Sequence, residues 1–286
     1  MKHRKQAPGI ILDLDGTVYR GDTLIPGARE AVERLRRQAH PIVFLTNAIE
    51  SRIEHADKLI GLDIPASPDE IVNASLVLTH YLSREVPGAT VFAISDPPLL
   101  EALSADFRLS EDPDEIDVVV ASCDRTFDYR KLNIAFKALQ KGARFLATNA
   151  DATAPVASGE LLPDAGAVIG ALEGCSGRKL EMVVGKPSLL AAEVALERMG
   201  QPASECVVVG DNVESDILMG RRAGMSTVLV LSGVTQRAEL DQACVQPDYV
   251  LESIASLPDL LDNERTPPPP TEPFACQETV GELPPE

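Results

Sequence analysis

Positive charge is in short supply: 26 Lys and Arg stand against 44 Asp and Glu, a formal net charge of −18 over 286 residues. A balance of that sign repels phosphate backbones and anionic lipid, so neither nucleic acid nor a membrane surface is an expected partner. Cysteine is sparse too. The five fall at 123, 175, 206, 244 and 276, an odd count with no CxxC spacing, which excludes a zinc ribbon or a disulfide framework and fits free thiols. No apolar run approaches the roughly 18 residues of a membrane span. Lys2, Arg4 and Lys5 are followed only by Ile10-Ile11-Leu12 before Asp13 interrupts, too short a run for a signal peptide. A soluble, cytoplasmic protein is expected. Other absences narrow the chemistry. There is no GxGxxG for a dinucleotide, Gly174-Cys175-Ser176-Gly177 lacks the second spacer of a GxSxG elbow, and the four histidines show no metal-ligand spacing.

What is present is an alternation of short apolar runs with helical patterns. Gly9–Asp13, 41–45, 205–209 and 226–231 read as strands, each running into Asp, Thr-Asn, Gly-Asp or Ser-Gly. Between them lie amphipathic stretches such as 28–38, with Ala31, Val32 and Leu35 on one face, and further helical patterns near 50–60 and 68–84. Near-continuous apolar strands separated by helices predict an α/β fold, a doubly wound parallel sheet covered on both faces. Ligands in such a sheet bind at the carboxyl ends of the strands, where every polar cluster just named falls. The middle of the chain repeats the pattern with strands at 90–94, 117–121 and 144–148 and helices near 128–141 and 165–174, which predicts a second, inserted α/β unit. From periodicity alone one continuous large sheet fits equally well. Residues 263–286 carry seven prolines, five Glu and one Arg and read as a disordered tail. They account for −4 of the charge, leaving −14 on residues 1–262.

Asp13-Leu14-Asp15-Gly16-Thr17 is the sharpest local feature. Residues i and i+2 at a strand end project to one side, and two carboxylates that close raise each other's pKa unless a cation lies between them. Asp15-Gly16 read in isolation is equally a turn. Gly210-Asp211-Asn212-Val213-Glu214-Ser215-Asp216 also follows an apolar strand, which puts Asp211 at the level where Asp13 and Asp15 emerge. Asp216 by itself reads as a helix N-cap. Convergent carboxylates with no His or Cys nearby match the oxygen preference of Mg²⁺. Lys186, in Gly185-Lys186-Pro187, again follows a strand. The proline forbids a P-loop, and a lysine there would neutralise charge and hold an anion. Thr46-Asn47 offers a hydroxyl, an amide and backbone N–H groups suited to phosphate oxygens.

In this order, DxDGT, Thr-Asn, Gly-Lys-Pro and GDxxxxD resemble the four signature motifs of the haloacid dehalogenase superfamily. The flanks, Val18-Tyr19-Arg20-Gly21 leading to Ile25-Pro26-Gly27-Ala28, Asp124-Arg125-Thr126-Phe127, Ala147-Thr148-Asn149-Ala150-Asp151 and Leu229-Val230-Leu231-Ser232-Gly233-Val234, resemble its type IIA subgroup of NagD-like phosphatases. The similarity covers about residues 8–262. It implies a catalytic core split between 1–82 and 179–262, with 83–178 as a mobile α/β cap through which a homo-oligomer would form. It also implies a Mg²⁺-dependent phosphomonoesterase acting on a small phosphorylated metabolite such as a nucleoside monophosphate, sugar phosphate or glycerol phosphate. Asp13 would be the nucleophile and Asp15 the general acid and base. Asp13, the Asp15 carbonyl and Asp211 would hold the metal, with Asp216 orienting that shell. Thr46, Asn47 and Lys186 would bind the phosphoryl group. The alternatives are a phosphotransferase or mutase with the same first-strand chemistry, or a non-catalytic phospho-ligand-binding or signalling protein. Ala48-Ile49-Glu50-Ser51-Arg52 and Ser95-Asp96-Pro97-Pro98 depart from the subgroup's usual small polar and glycine-rich runs.

Overall fold

A computed structural model describes residues 7–155 and 161–263. The basic residues at 2–5 and the tail from 264 onward, expected to be disordered, lie outside the described residues. Packing divides the chain into two compact units, the first of described residues 7–46, 52–72 and 191–263, the second of 47–51, 73–155 and 161–190.

The first unit is built on a six-stranded sheet in the order Tyr249–Leu251, Ser226–Val230, Cys206–Gly210, Gly9–Asp13, Ile42–Thr46, Ile71–Asn73. Gly9–Asp13 is central and pairs in parallel on both sides, with Ile10 opposite Val207 and Ile42. The pairs leading out to Tyr249–Leu251 are parallel as well. Central position explains the composition of the strand. Ile10, Ile11 and Leu12 have no exposed surface at all, because helices cover both faces, and each buried side chain of this kind contributes about 1.5–3 kcal/mol. The helix Ala28–Arg37 buries Ala28, Ala31, Val32 and Leu35, the i, i+3, i+4, i+7 stripe anticipated from its sequence, into the cluster that holds Ile10, Leu12 and Phe44.

The second unit has its own five-stranded sheet, ordered Met182–Val183, Arg144–Ala147, Val118–Ala121, Thr90–Ile94, Arg108–Leu109, every pair parallel. Its core gathers Phe92, Val119 and Phe145 from the strands with Ala135, Leu139, Val168 and Leu172 from the helices Tyr129–Gln140 and Ala165–Ser176. Asp128 caps the first of these helices by accepting the Lys131 N–H at 2.8 Å. The presence of two sheets excludes the single continuous sheet that periodicity left open. An antiparallel ribbon pairs Thr153–Pro155 with Leu161–Pro163.

The packing boundaries are wider than the 83–178 expected for an inserted unit. Met182–Val183 hydrogen-bonds to Arg144–Ala147, which carries the stretch up to 190 with the second sheet. Residues 47–51 are held there too: the Ala48 carbonyl accepts from the Ala74 N–H, the Glu50 carbonyl from the Asn73 amide and the Ile49 carbonyl from the Ser75 hydroxyl. No helix among the described residues is long and apolar enough to cross a membrane. The described cysteines, 123, 175, 206 and 244, are free thiols.

Candidate active site

Three carboxylates converge in the first unit. Asp13 ends the Gly9–Asp13 strand, Asp211 follows the neighbouring Cys206–Gly210 strand, and Asp216 comes from the helical turns after it. One oxygen of each lies within 4.8 Å of the others, and all three residues are buried. Ionised carboxylates at that separation repel by about 3 kcal/mol per pair even at an effective dielectric of 20. A cation between them turns that cost into ligation. The donor set is all oxygen, hard and without His or Cys, which fits Mg²⁺.

Local structure explains how each carboxylate is aimed. The Asp211 Oδ2 accepts the Val234 N–H at 2.6 Å, and the Asp211 carbonyl accepts the Thr235 N–H at 3.0 Å. Asp216 Oδ2 accepts the Asn212 N–H at 3.2 Å. Asp216 is therefore not the N-cap that its position suggested. Asn212 is the cap, accepting the Glu214 N–H, and Asp216 sits one turn inside a π-type stretch, Val213–Ile217, that precedes the α-helix Leu218–Arg222. A wider turn of this sort is a recurrent feature of functional sites. Here it coincides with the point where a carboxylate turns back towards the strand end.

Two glycines make room for the cluster. A Cβ on Gly233 would lie 1.7 Å from the Asp211 Oδ2, and one on Gly16 would lie 2.3 Å from the same atom, with Gly16 also at φ +83°. Side chains at either position are excluded by the carboxylate itself.

Asp15 stands apart from the three. It is exposed, two residues beyond Asp13 in a tight turn closed by the Gly16 N–H to Tyr19 carbonyl bond at 2.7 Å. An exposed acidic residue next to, but outside, the buried cluster is the kind of group that exchanges protons with solvent. Thr17, next in sequence, is fully buried. Thr46 ends the Ile42–Thr46 strand and is buried.

Asn47 and Lys186 meet in the second unit. The Asn47 Oδ1 accepts the Lys186 N–H at 2.8 Å and its Nδ2 donates to the Lys186 carbonyl at 3.2 Å, so a side-chain amide clamps the lysine's backbone from both sides. The same Nδ2 lies 3.4 Å from the Asp151 carboxylate. Lys186 itself is buried, an environment lysine almost never occupies unless its charge is paired. Asp151 stands in the sequence only as part of a flanking motif, and no local pattern announces its contact with Asn47.

The histidines stay outside these groupings among the described residues. His40 hydrogen-bonds the Pro8 carbonyl at 2.8 Å, His80 lies 3.5 Å from Arg84, and His55 is buried within the helix Arg52–Gly61.

Comparison with known proteins gives this geometry a family. Residues 10–106 match the model of the haloacid dehalogenase-like hydrolases, and residues 183–257 a second model described as HAD-hydrolase-like. The sugar-phosphatase AraL of Bacillus subtilis is 42% identical over 256 residues, spanning 89% of this chain and 93% of that protein. Among solved structures, a p-nitrophenyl phosphatase from Archaeoglobus fulgidus superposes with a TM-score of 0.83 at 34% identity, covering 90% of this chain and 100% of that one. NagD from Escherichia coli K-12 gives 0.80 at 28% identity, covering 87% and 98%. The chain belongs to the haloacid dehalogenase-like hydrolase family, as a phosphatase of its NagD-like branch.

Proposed function

We propose that the protein is a Mg²⁺-dependent phosphomonoesterase that removes phosphate from a small sugar phosphate through an aspartyl-phosphate intermediate. The observation that carries the reading is the buried trio Asp13, Asp211 and Asp216, an all-oxygen donor set gathered at strand ends. Similarity to a sugar phosphatase at 42% identity over nearly its whole length favours sugar phosphates over nucleoside monophosphates and glycerol phosphate.

In this reading Asp13 attacks phosphorus, the bond to the leaving oxygen breaks, and the phosphoryl group rests on the Asp13 carboxylate. The exposed Asp15 carboxyl gives its proton to the departing alkoxide and takes one back from the water that then hydrolyses the acyl phosphate. Asp13, the Asp15 carbonyl and Asp211 would hold Mg²⁺, and Asp216, which offers an oxygen within 4.8 Å of those of Asp13 and Asp211, would orient that shell. When bound, the ion screens the approach of a carboxylate to an anionic phosphate and stabilises transition-state charge. Thr46, Asn47 and Lys186 bind the phosphoryl oxygens, Lys186 as the fixed positive charge.

Phosphate release from p-nitrophenyl phosphate and from a panel of pentose and hexose phosphates, nucleoside monophosphates and glycerol phosphate tests this directly. The expected result is activity lost to EDTA, restored by Mg²⁺, and abolished by Asp13→Asn, with a sugar phosphate the best of the panel. Activity that persists in Asp13→Asn or in EDTA refutes the mechanism, and a nucleotide as best substrate refutes the sugar assignment.

A further inference from the structure

All strand pairs of the second sheet are parallel, so the loops that follow the strands share one edge. From Thr90–Ile94 the chain passes outward to Arg108–Leu109, and from Val118–Ala121 it runs the other way, through Arg144–Ala147 to Met182–Val183. The strand order therefore reverses between Thr90–Ile94 and Val118–Ala121, the place in an open parallel sheet where ligands bind. The two loops that diverge there are stitched together. The Asp96 N–H donates to the Cys123 carbonyl at 2.8 Å, the Asp96 Oδ1 accepts the Arg125 N–H at 2.9 Å, and the Asp96 Oδ2 lies 3.4 Å from the Arg125 Nε. Asp96 occupies the N-cap of the helix Pro97–Ser104, but its side chain makes no capping bond. Pro97 and Pro98 take two N–H donors out of the first turn, and both carboxylate oxygens go to Arg125 instead. The loop that carries Arg125 is fixed as well: the Asp124 carboxylate accepts the Thr126 N–H and hydroxyl, each at 2.8 Å, and the Lys131 ammonium at 2.6 Å. Ser95, next to Asp96, is buried with a hydroxyl that has no hydrogen-bond partner among the described residues. A buried polar group in that position calls for one.

We propose that Asp96 and Arg125 form the subsite that recognises the sugar of the substrate, with the guanidinium donating to neighbouring hydroxyl oxygens and Asp96 holding it in place. The proposal rests on the sugar-phosphate reading given above and deepens it. Arg125 is exposed, its main chain and its Nε are both engaged by Asp96, and its terminal N–H groups have no protein partner among the described residues. A planar fork of donors matches two oxygens on adjacent carbons of a sugar as it matches the two of a carboxylate. An arginine already held at its main chain and Nε has less freedom to lose on binding. Lys186, assigned above to the phosphoryl group, follows Met182–Val183 at the same edge of the sheet. The strands that precede Lys186 and Arg125 are two spacings apart, about 10 Å, so long side chains from the two loops span the length of a pentose or hexose phosphate. The unpartnered Ser95 hydroxyl suits the same class of ligand, since each sugar hydroxyl donates and accepts at one atom.

A sugar subsite has a signature that a merely structural role lacks: its loss falls on substrates that carry hydroxyls and spares one that does not. The test is kcat/KM for wild type, Arg125→Ala, Arg125→Lys, Asp96→Asn, the double variant Asp96→Asn/Arg125→Ala and Asp13→Asn, on ribose 5-phosphate, glucose 6-phosphate and phenyl phosphate, with melting temperatures to confirm that each variant is folded. For Arg125→Ala the expected loss on the better sugar phosphate is about ten- to a hundredfold, the range for hydrogen bonds to a charged group, and under about threefold on phenyl phosphate, whose leaving group offers no further oxygen. Arg125→Lys keeps the charge without the fork and should stay at least about threefold down on the sugar phosphate. Asp96→Asn keeps the acceptor for the Arg125 N–H and removes the ion pair, so it should lose selectivity in the same direction. The double variant should fall no further than Arg125→Ala alone, as expected where one residue acts through the other. Equal losses on sugar and phenyl phosphates, no loss, or wild-type selectivity in Arg125→Lys overturns the subsite, and additive losses in the double variant overturn the role of Asp96; with Asp13→Asn inactive, each leaves the phosphatase reading standing. A wild type that hydrolyses phenyl phosphate but neither sugar phosphate overturns the subsite together with the sugar assignment. An active Asp13→Asn, or a wild type with no metal-dependent phosphate release, overturns the phosphatase reading and the proposal with it.

Discussion

Gly233→Ala is the most direct probe of how tightly the carboxylate cluster is built. The added methyl would sit 1.7 Å from the Asp211 Oδ2 and 2.4 Å from its Cγ, where ordinary contact begins at 3.4 Å. The gap must therefore open by about 1.7 Å, and the atom that has to give way is a carboxylate already committed to the Val234 N–H at 2.6 Å. Either Asp211 turns away from Asp13 and Asp216, or the loop lifts and takes Val234 with it. Displacements of about 1 Å in a catalytic site can cost about a hundredfold in rate. Disturbed metal shells lose about ten- to a hundredfold in affinity. A Mg²⁺ titration of p-nitrophenyl phosphate hydrolysis should show a half-saturating Mg²⁺ concentration raised at least about tenfold and a kcat/KM lowered about a hundredfold at saturation. Gly170→Ala is the matched control, since a Cβ there meets nothing within 4 Å. Wild-type Mg²⁺ dependence in Gly233→Ala, with the variant folded, would refute the placement of Asp211 in the metal shell.

Other expectations follow from single features. Gly170 lies exposed inside the helix Ala165–Ser176, so Gly170→Ala should raise stability by about 0.5–1 kcal/mol in thermal or denaturant melts while leaving kcat unchanged. Asp164 caps that helix through the Ala165 N–H at 2.7 Å, and burial pushes its carboxyl above the usual range. With the folded pKa raised, the folded state gains relative stability as pH falls through it and carries the penalty of a buried charge above it. Asp164→Asn keeps the cap acceptor, so it should melt higher than wild type at pH 7 with an advantage that fades towards pH 4; an advantage independent of pH would show that burial is not the cause. Burial also pushes the thiols of Cys123 and Cys206 up to about 11, so at pH 8 iodoacetamide should label the exposed Cys175 and Cys244 well before either of them, as read by peptide mass mapping.

Strands whose side chains are buried on both faces were legible because burial and sequence say the same thing there. Gly9–Asp13 and Thr90–Ile94 have the bounds expected of them, and Ile42–Thr46 and Cys206–Gly210 are displaced by one residue. The short strand Ile71–Asn73 was absorbed into a helical pattern. Its apolar pair is too brief for a period, and Asn73 doubles as the N-cap of Ala74–Glu85. Residues 47–51 and 179–190 pack with the second sheet because of hydrogen bonds made by main-chain groups and by residues distant in sequence, which no local pattern announces. At the site, Asp13 and Asp211 were legible as strand-end carboxylates. Asp216 looked like a cap because the widened turn that buries it depends on Asn212 taking that role. The Asn47 clamp on Lys186 joins residues 139 apart, and the Ser232 bond to Gly16 joins residues 216 apart, so neither had a sequence signal.

The order of strands in the first sheet also sets a clock. Gly9–Asp13 can pair with Ile42–Thr46 soon after both are made, but its other neighbour, Cys206–Gly210, is translated almost two hundred residues later, with Ile10 waiting for Val207. At about 5–20 residues per second that interval is about 10–40 s. Throughout it, one edge of the strand that carries the wholly buried Ile10, Ile11 and Leu12 has no native partner. The second unit, drawn mostly from the contiguous stretch 73–190, can assemble in the meantime. Asp13 leaves the ribosome almost two hundred residues before Asp211 and Asp216, the carboxylates it is to meet. An emerging chain therefore cannot gather the three carboxylates until its sheet is close to complete.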